Sequence, residues 1–314
     1  MTGNITPRIV TRPFQDGADF GRVRDLISET YPITGLGFNW EIRRWDGWRY
    51  YGTDPAWQPR WEKEFHLWET EEGRRVGLAH HEGQLGEAHL EIHPDYRELI
   101  EADMIAWAEQ HLSVPTEDGQ GRRLNTVVFE YDTPRQNLLV ARGYEKQSRA
   151  GFHRRVYLGD RALAQPTFAE GYTLHTTRPG NEEDFQRLAD LLNAAFGRGG
   201  HVAAEYRNFT SHAACYRRAL DLMAVAPDGS YAAHVGGVYD EANRRGLFEP
   251  VCTHPDHRRK GLAKALMVEG LHRLKTLGAV AVTCDTNDTI ASNRLYDSVF
   301  TEAYQSYIWR KTWA

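Results

Sequence analysis

A short basic segment in the last third of the sequence has residue types and spacing suited to binding phosphate. It reads THPDHRRKGLAK from Thr253 to Lys264, and its pattern predicts a strand before it and a helix that begins at Gly261. The first amides of a helix lack partners within the helix and carry a partial positive charge, so they attract anions. Gly261 lets an anion approach the main chain, Ala263 keeps the next position small, and the neighbouring basic side chains add positive charge. The segment predicts a phosphate or pyrophosphate site, with a solvated basic helix start as the alternative.

The elements that must position this segment alternate between strands and helices. Apolar runs predict strands at 173–177, 222–225, 231–238, 247–253, 280–284 and 304–311. Helical spacing predicts a helix capped by Asn181, one from Gly261 to about Leu277, and one from Ile290 to about Ser298. This order predicts a mixed α/β sheet with helices packed against it.

The sequence also repeats itself. Residues 11–13 read TRP and are followed by DFGRVRDLI at 19–27, while residues 177–179 read TRP and are followed by DFQRLADLL at 184–192. A second echo follows in the same order, since HPD at 93–95 recurs at 254–256. A period this long does not fit a solenoid. We therefore predict two copies of one domain, 1–165 and 166–314, joined by a Pro- and Gly-containing segment.

The phosphate-binding pattern and its neighbours resemble the GNAT superfamily of acetyl-CoA-dependent N-acetyltransferases. The signature of that superfamily is (Q/R)-x-x-G-x-(G/A), and this chain has Arg258, Gly261 and Ala263 at those positions. Residues 280–284 stand where the fifth strand would lie, and SNRLY at 292–296 resembles the A-x-x-L-Y helix. The resemblance covers about 172–314 well and 10–158 more weakly. It implies an α/β fold class with two tandem GNAT-like domains, each a mixed, mostly antiparallel twisted sheet flanked by helices.

The resemblance implies that the second copy binds acetyl-CoA and transfers the acetyl group to an amine. Tyr296 stands at the position of the tyrosine that protonates the departing thiolate. Glu249 lies two residues before Val251 and is therefore expected on the same face of the strand. It could deprotonate the ammonium of the acceptor, directly or through water; the alternative is a strand-edge carboxylate without a role. Cys252 is expected to be a small buried residue rather than a nucleophile. The implied coenzyme-binding residues are Val251, Cys252, Thr253, Arg258, Arg259, Lys260, Gly261, Leu262, Ala263, Lys264, Asn287 and Asn293.

Two positions depart from the superfamily pattern. The Gly-Phe pair that usually follows the Leu-Tyr is replaced by DSVF at 297–300, as if the glycine were deleted. The asparagine that usually precedes the A-x-x-L-Y segment is absent at strict spacing, where Thr289 stands, and Asn287 takes its place two residues earlier.

The first copy has lost the residues that would make it active. When the two HPD segments are aligned, Ile100 falls on Gly261 and is expected to fill the space of a pyrophosphate. The surrounding run at 98–103 is acidic, which would repel phosphate. Leu139 falls on the position of Tyr296. We predict a degenerate copy with a structural or substrate-shaping role.

Acceptor-binding residues are expected before the second strand of the second copy, where the candidates are Tyr206, Arg207, Asn208 and His212. A tryptophan-rich segment in the first copy is the other aromatic feature, and it predicts a packed aromatic cluster, an aromatic wall beside the active site or a protein contact. Its tryptophans are Trp40, Trp45, Trp48, Trp57, Trp61 and Trp68.

Composition restricts the remaining function classes. The 314 residues carry 38 basic and 43 acidic side chains, and the net charge of −5 predicts neither a nucleic-acid nor a membrane partner. No apolar run approaches the roughly 20 residues of a membrane span. The start of the sequence has no apolar signal segment, and three cysteines without a CxxC pair fit a reducing compartment, so we expect a cytoplasmic protein. No histidine pattern predicts a metal site.

The layout resembles that of tandem members of the superfamily such as mycothiol synthases, which have two such domains and one active site. The resemblance therefore implies a small-molecule amine as acceptor, and an oligomer stays possible. Two alternatives are open: a non-catalytic coenzyme A-binding sensor or interaction protein, and an enzyme that uses a longer acyl-CoA.

Overall fold

The computed structural model describes residues 7–52, 61–83, 85–197 and 199–314. The chain divides into two compact units. Unit 1 comprises Met1–Ile42, Asp54–Ala150 and Gln305–Ala314, and unit 2 comprises Arg43–Thr53 and Gly151–Tyr304. None of the helices within the described ranges is long and apolar enough to cross a membrane.

Unit 1 follows the order strand, helices, three meander strands, helix, strand, helix. Its elements are β1 (Ile9–Pro13), α1 (Asp16–Thr34), the first residue of α2 (Ile42–Tyr51), α3 (Trp61–Glu64), β2 (His66–Thr70), β3 (Arg75–His80), β4 (Glu87–Ile92), α4 (Arg97–His111), β5 (Val114–Pro115), β6 (Arg122–Phe129), α5 (Thr133–Ala141), the start of β7 (Glu145–Tyr157) and, from the end of the chain, β13 (Glu302–Trp313) from Gln305 onward.

Unit 2 repeats this order in the second half of the chain. Its elements are the rest of α2, β7 from Gly151 onward, β8 (Thr173–Thr176), α6 (Glu182–Phe196), α7 (Ala203–His212), β9 (Tyr216–Val225), β10 (Tyr231–Asp240), β11 (Arg245–Thr253), α8 (Leu262–Thr276), β12 (Ala281–Asn287), α9 (Ile290–Asp297) and the start of β13 (Glu302–Trp313).

Each unit contains one mixed, mostly antiparallel sheet, and the two sheets have the same strand order. In unit 1 the order is β1-β2-β3-β4-β6-β13, and in unit 2 it is β8-β9-β10-β11-β12-β7. Within these two strand orders, the described pairs are antiparallel except β4 with β6 in unit 1 and β11 with β12 in unit 2. The predicted fold class, two tandem domains with helix-flanked mixed sheets, is confirmed.

The compact units do not follow the boundary predicted near 165. The last strand of the chain pairs with β6 of unit 1 over Ser306–Trp313, while the last strand of the first copy pairs with β12 of unit 2 over Gly151–Tyr157. Each sheet is therefore completed by the final strand of the other sequence copy. Sequence patterning cannot show this, because a strand has the same alternation whichever edge it joins. The boundary between the two sequence copies stays a prediction.

The arginine of the repeated TRP motif forms an ion pair with the aspartate of the following helix in both copies. Arg12 donates two hydrogen bonds of 2.6 Å to the carboxylate of Asp19 in α1. Arg178 donates from Nη2 to Oδ1 of Asp184 in α6 at 2.7 Å, and its main-chain amide donates to Oδ2 at 2.8 Å. As predicted, Asn181 caps this helix, its side chain accepting from the amide of Asp184 at 2.9 Å. The motif therefore fixes the start of the first helix to the preceding strand.

Replacing Asp184 with asparagine is expected to lower the free energy of unfolding by about 1.5–3 kcal/mol at pH 7, the usual contribution of charged hydrogen bonds. Burial alone would raise the pKa of Asp184, but the hydrogen bonds from Arg178 outweigh it and lower the pKa to about 2. Because the folded pKa lies below the unfolded one, this stabilisation is present above pH 4 and disappears as the pH falls towards 2. Urea unfolding at pH 7 and at pH 3 measures it.

Asp190→Asn is the matched control, because Asp190 is an exposed carboxylate on the same helix. A loss of stability at Asp184 that does not change with pH would contradict the role assigned to its ionised form.

Candidate functional site

The predicted phosphate-binding segment forms an exposed turn at the start of α8. A 3-10 helix (Pro255–His257) follows β11, and the side chain of His254 accepts a hydrogen bond from the amide of Asp256 to begin it. His93 caps the corresponding turn of unit 1 through Asp95 in the same way. Gly261 then adopts a φ of 73° as the N-cap residue of α8. No atom lies within 4 Å of where a Cβ at Gly261 would be, so the main chain there is open to a ligand.

The basic side chains of this turn are exposed to solvent. Arg258 donates to the main-chain oxygen of Ala195 at 3.1 Å, so this guanidinium also holds the turn against α6. Lys260 lies 5.4 Å from the ring centroid of Tyr172. Arg259 and Lys264 are exposed, whereas Leu262 and Ala263 are buried and offer only their main-chain groups.

The turn of unit 1 differs because its helix begins earlier. When the two HPD segments are aligned, Arg97 matches Arg258. Arg97 is the first residue of α4, whereas Arg258 has an extended main-chain conformation. Ile100 is 1% exposed and packs into the core of unit 1. The expectation that Ile100 fills the space of a pyrophosphate is therefore wrong: the side chain points into the protein, and the loop is replaced by an additional turn of helix.

The strands β11 and β12 separate after a short parallel pairing. They pair only from Arg245 and Ala281 to Leu247 and Thr283, although both strands continue for several residues. Beyond this point Cys284 of β12 donates from its thiol to the main-chain oxygen of Phe248, 3.2 Å away. A gap between two parallel strands exposes main-chain groups that a ligand can bind.

Tyr296 on α9 is buried beside this gap. Its ring packs against Phe300, with centroids 6.0 Å apart, and the guanidinium of Arg154 lies 5.7 Å from the ring centroid. Burial raises the pKa of Tyr296, and the adjacent thiol of Cys284 raises it further, well above the usual range. The phenol is therefore protonated across the physiological pH range and can act as a proton donor.

The missing glycine after Tyr296 leaves a tight helical end. Ser298 is the C-cap residue of α9, with φ −79° and ψ −9°. The main-chain amides of Val299 and Phe300 both donate to the main-chain oxygen of Tyr296. Such a turn needs no positive φ, whereas Gly143 in the matching turn of unit 1 has a φ of 84°. The departure from the superfamily pattern is thus a shorter turn.

Glu249 lies in a bulge of β11. Val235 of β10 pairs with Val251 and Gly237 pairs with Phe248, so Glu249 and Pro250 together oppose one residue. A bulge interrupts the regular alternation of a strand, so alternation does not put Glu249 and Val251 on one face. Glu249 is exposed, whereas Val251 is half-buried. Within a strand, Pro250 was the sequence signal for this irregularity.

The other predicted coenzyme residues lie around the same gap and turn. Thr253 is half-buried at the end of β11. Cys252 is 6% exposed, and burial raises the pKa of its thiol to about 12. A thiol with so high a pKa is a poor nucleophile, as expected for Cys252. Asn287 is exposed at the end of β12. Asn293 is already hydrogen-bonded, accepting from Arg154 at 2.8 Å and donating to Asp288 at 3.0 Å.

A small recess, partly open to solvent, lies next to the bulge. It is lined mainly by polar and aromatic side chains of α2, α7 and strands β9–β11, among them Arg43, Tyr51, Tyr206, Asp221, His234 and Glu249. The sequence analysis did not predict four of these as site residues: Arg43, Tyr51, Asp221 and His234. For the last two a signal was available, since each is a charged or titratable residue inside an otherwise apolar strand.

Asp221 is the centre of a buried hydrogen-bond cluster in this recess. It accepts from Nε2 of His234 at 2.6 Å, from the hydroxyl of Tyr206 at 2.6 Å and from the hydroxyl of Thr177. Burial works to raise the pKa of Asp221, but the hydrogen bonds, that of His234 first, hold it below its usual range. Because Asp221 is ionised, Nε2 of His234 carries the donated proton. Its Nδ1 is buried and has no partner among the described residues.

Only one of the four predicted acceptor-binding residues lines the recess. That residue is Tyr206. Arg207 forms an exposed ion pair with Glu182, Asn208 donates to the main-chain oxygen of Tyr50 at 2.8 Å, and His212 stacks on Tyr50. The structure thus brings Tyr206 and Glu249 together and leaves the other three outside the recess lining.

The tryptophan-rich segment contributes to the recess through Arg43 and Tyr51 of α2, and none of the tryptophan side chains that the structure describes lines it. The ring of Tyr51 stacks on Phe209 with centroids 4.7 Å apart. Trp45 is fully buried and stacks on Trp48. Trp57, and the side chain of Trp61, lie outside the described residues.

The sequence model of the Acetyltransferase (GNAT) family matches residues 185–300. Residues 185–300 form a GNAT domain. The GNAT domain contains β9 to β12, the exposed turn and Tyr296. Its family is one of acetyltransferases that use acetyl-CoA. No curated protein matches the sequence at a significant level.

Solved structures extend the fold beyond this GNAT domain. The chain is 20% identical to a GCN5-related N-acetyltransferase from Sphaerobacter thermophilus, with a TM-score of 0.63 over 97% of this chain and 95% of that one. It is 16% identical to a tandem GNAT protein from the clavulanic acid biosynthesis pathway, with a TM-score of 0.62 over 97% of this chain and 98% of that one. The chain therefore has the fold of a tandem GNAT protein.

Proposed function

We propose that unit 2 is an N-acetyltransferase that transfers the acetyl group of acetyl-CoA to the primary amine of a small molecule. The observation that carries this proposal is the arrangement of three features in one GNAT domain. These are the open turn at Gly261, the gap between β11 and β12, and the protonated phenol of Tyr296 beside that gap.

The open turn fits a diphosphate. The amides at the start of α8 and the exposed side chains of Arg259, Lys260 and Lys264 would hold it, and Arg258 keeps the turn in place. The main chain of 251–253 would bind the extended arm of the coenzyme along the gap. Asn287, at the end of β12, would bind at the other side of that gap, whereas Asn293 would contribute mainly by positioning α9 through Arg154.

The proposed chemistry forms one bond and breaks one. Glu249 takes a proton from the acceptor ammonium, directly or through water. The neutral amine forms the new bond to the acetyl carbon, and a main-chain amide near Val251 stabilises the oxyanion. The bond from carbon to sulfur then breaks, and Tyr296 donates its proton to the departing thiolate. The proton that the acetylated nitrogen loses returns to the phenolate of Tyr296, directly or through water. Acetyl-CoA would supply the activated acetyl group and leave as coenzyme A with a free thiol.

The proposal is tested by following free thiol release from acetyl-CoA with a broad panel of small primary amines, under conditions where hydrolysis without an acceptor is subtracted. We expect at least one amine to be acetylated, with the product confirmed by mass. Coenzyme binding with no acceptor in the panel would contradict the enzyme and favour a coenzyme A sensor. Turnover only with longer acyl-CoA donors would contradict the acetyl specificity.

A further inference from the structure

The recess of unit 2 contains a buried positive charge with no carboxylate partner. Arg43 is 5% exposed, and among the described residues no carboxylate oxygen lies within 4.0 Å of its guanidinium. Buried charges in proteins are normally paired, because taking a lone ion out of water is costly. A buried arginine that lines a recess and has no carboxylate partner is therefore a candidate for binding an anion.

The contacts of Arg43 leave much of its guanidinium available. Nε donates to the main-chain oxygen of Glu249 at 3.2 Å, and Nη2 donates to the hydroxyl of Tyr51 at 3.2 Å. The rings of Tyr51 and Phe209 lie 5.0 and 4.4 Å from the guanidinium carbon and partly compensate its charge. A guanidinium has five N–H groups, so three of them form no hydrogen bond with the described residues.

Gly47 holds the space for this side chain. It lies one helical turn after Arg43 in α2, and a Cβ at Gly47 would collide with Nη1 of Arg43. The position and the direction of the guanidinium therefore depend on a glycine within the helix.

The other charges of the recess are of two kinds. The carboxylate of Asp221 accepts hydrogen bonds from His234, Tyr206 and Thr177, and its charge is therefore already compensated. The carboxylate of Glu249 is exposed and within electrostatic reach of Arg43, although it is not in contact with it. The recess thus presents one cation and one accessible anion, which is the complement of a molecule that carries both a carboxylate and an ammonium.

We propose that Arg43 binds the carboxylate of the acceptor, and that the acceptor is an amino acid or a closely similar amino carboxylate. This inference rests on the proposed acetyl transfer in unit 2. An arginine fork binds a carboxylate through two parallel hydrogen bonds. Because Nε is bonded to the main chain of Glu249, the guanidinium is fixed next to the bulge where the amine is deprotonated. The carboxylate and the amine of the acceptor are therefore separated by only a few bonds.

The experiment compares each of the twenty L-amino acids with its amide as acceptor, using thiol release. For the best pair we expect kcat/KM of the acid to exceed that of the amide roughly tenfold or more. Arg43→Met is expected to reduce this ratio about tenfold through KM of the acid, since a fully desolvated charge pair is lost. Arg43→Lys, which keeps the charge and loses the fork, should fall between the two.

Two further variants separate recognition from folding. Gly47→Ala keeps Arg43 but displaces its guanidinium, and we expect the ratio to fall in the same direction. Arg49→Met is the matched control, because Arg49 lies on the same helix and does not line the recess. Thermal melting and the Kd of acetyl-CoA confirm that each variant is folded.

The outcomes distinguish this inference from the proposed function. Acetylation of amides at least as good as that of acids, with both equally affected by Arg43→Met, would overturn the inference and leave acetyl transfer intact. In parallel, the amino acids are titrated into protein saturated with coenzyme A. Binding that is lost in Arg43→Met without any turnover would support the carboxylate site and contradict the transferase. The absence of both Arg43-dependent binding and turnover would overturn the inference.

Discussion

Replacing Tyr296 with phenylalanine is expected to lower kcat about a hundredfold or more, while the Kd of acetyl-CoA changes little. The hydroxyl is the only group removed. The ring keeps its packing against Phe300 and Arg154, and the lost hydrogen bond to the thiol of Cys284 is a weak one. Steady-state kinetics and calorimetric titration of acetyl-CoA measure the two quantities separately.

The matched control is Tyr239→Phe, which changes another buried tyrosine of unit 2. Tyr239 lies at the end of β10 that is remote from the exposed turn, and its hydroxyl is close to Gly278. Unchanged turnover in Tyr296→Phe would remove the phenol from the chemistry. Because its pKa is raised, we also expect no loss of kcat from Tyr296 ionisation up to pH 10, the usual pKa of a tyrosine.

The second large effect is expected at the exposed turn. Gly261→Ile should weaken acetyl-CoA binding roughly tenfold or more, a change of about 1.4 kcal/mol for each factor of ten. A β-branched residue disfavours the φ of 73° at this position, and its side chain would occupy the open space in front of the first amides of α8. Titration calorimetry gives both the affinity and the number of sites.

Gly180→Ile is the control for backbone strain, because Gly180 also has a positive φ, 64°, and no atom near its Cβ position. It should leave the affinity for acetyl-CoA unchanged. We expect one site per chain, since α4 begins at Arg97 and unit 1 therefore lacks the open turn. Two equivalent sites would contradict the assignment of the first copy as degenerate.

The parts of the fold that depend on local pattern could be predicted from the sequence. The repeat at Asp19 and Asp184 gave the duplication, and the glycine after a basic run gave the start of α8 to within one residue. Burial of Cys252 followed from its place in an apolar strand. In each case the signal lies within a few residues of the feature that it predicts.

The parts that depend on distant chain segments could not be predicted. Arg43 reaches the recess from the first sequence copy, and its role follows only from contacts with residues some two hundred positions away, such as Glu249. The bulge at Glu249 was missed because regular alternation was assumed through Pro250. Asp221 and His234 are apart in sequence, and only pairing of β9 with β10 brings them into contact.

The exchange of final strands has a consequence for how the protein can evolve. Neither half of the coding sequence specifies a finished sheet, because β6 needs the C-terminal residues and β12 needs residues 151–157. Arg154, which holds the helix of Tyr296 through Asn293, is likewise encoded in the first half. Gene fission would therefore leave two fragments with open strand edges, which invite aggregation. Selection can therefore retain the first copy because it supplies a strand and an arginine to unit 2, whether or not the first copy has an activity of its own.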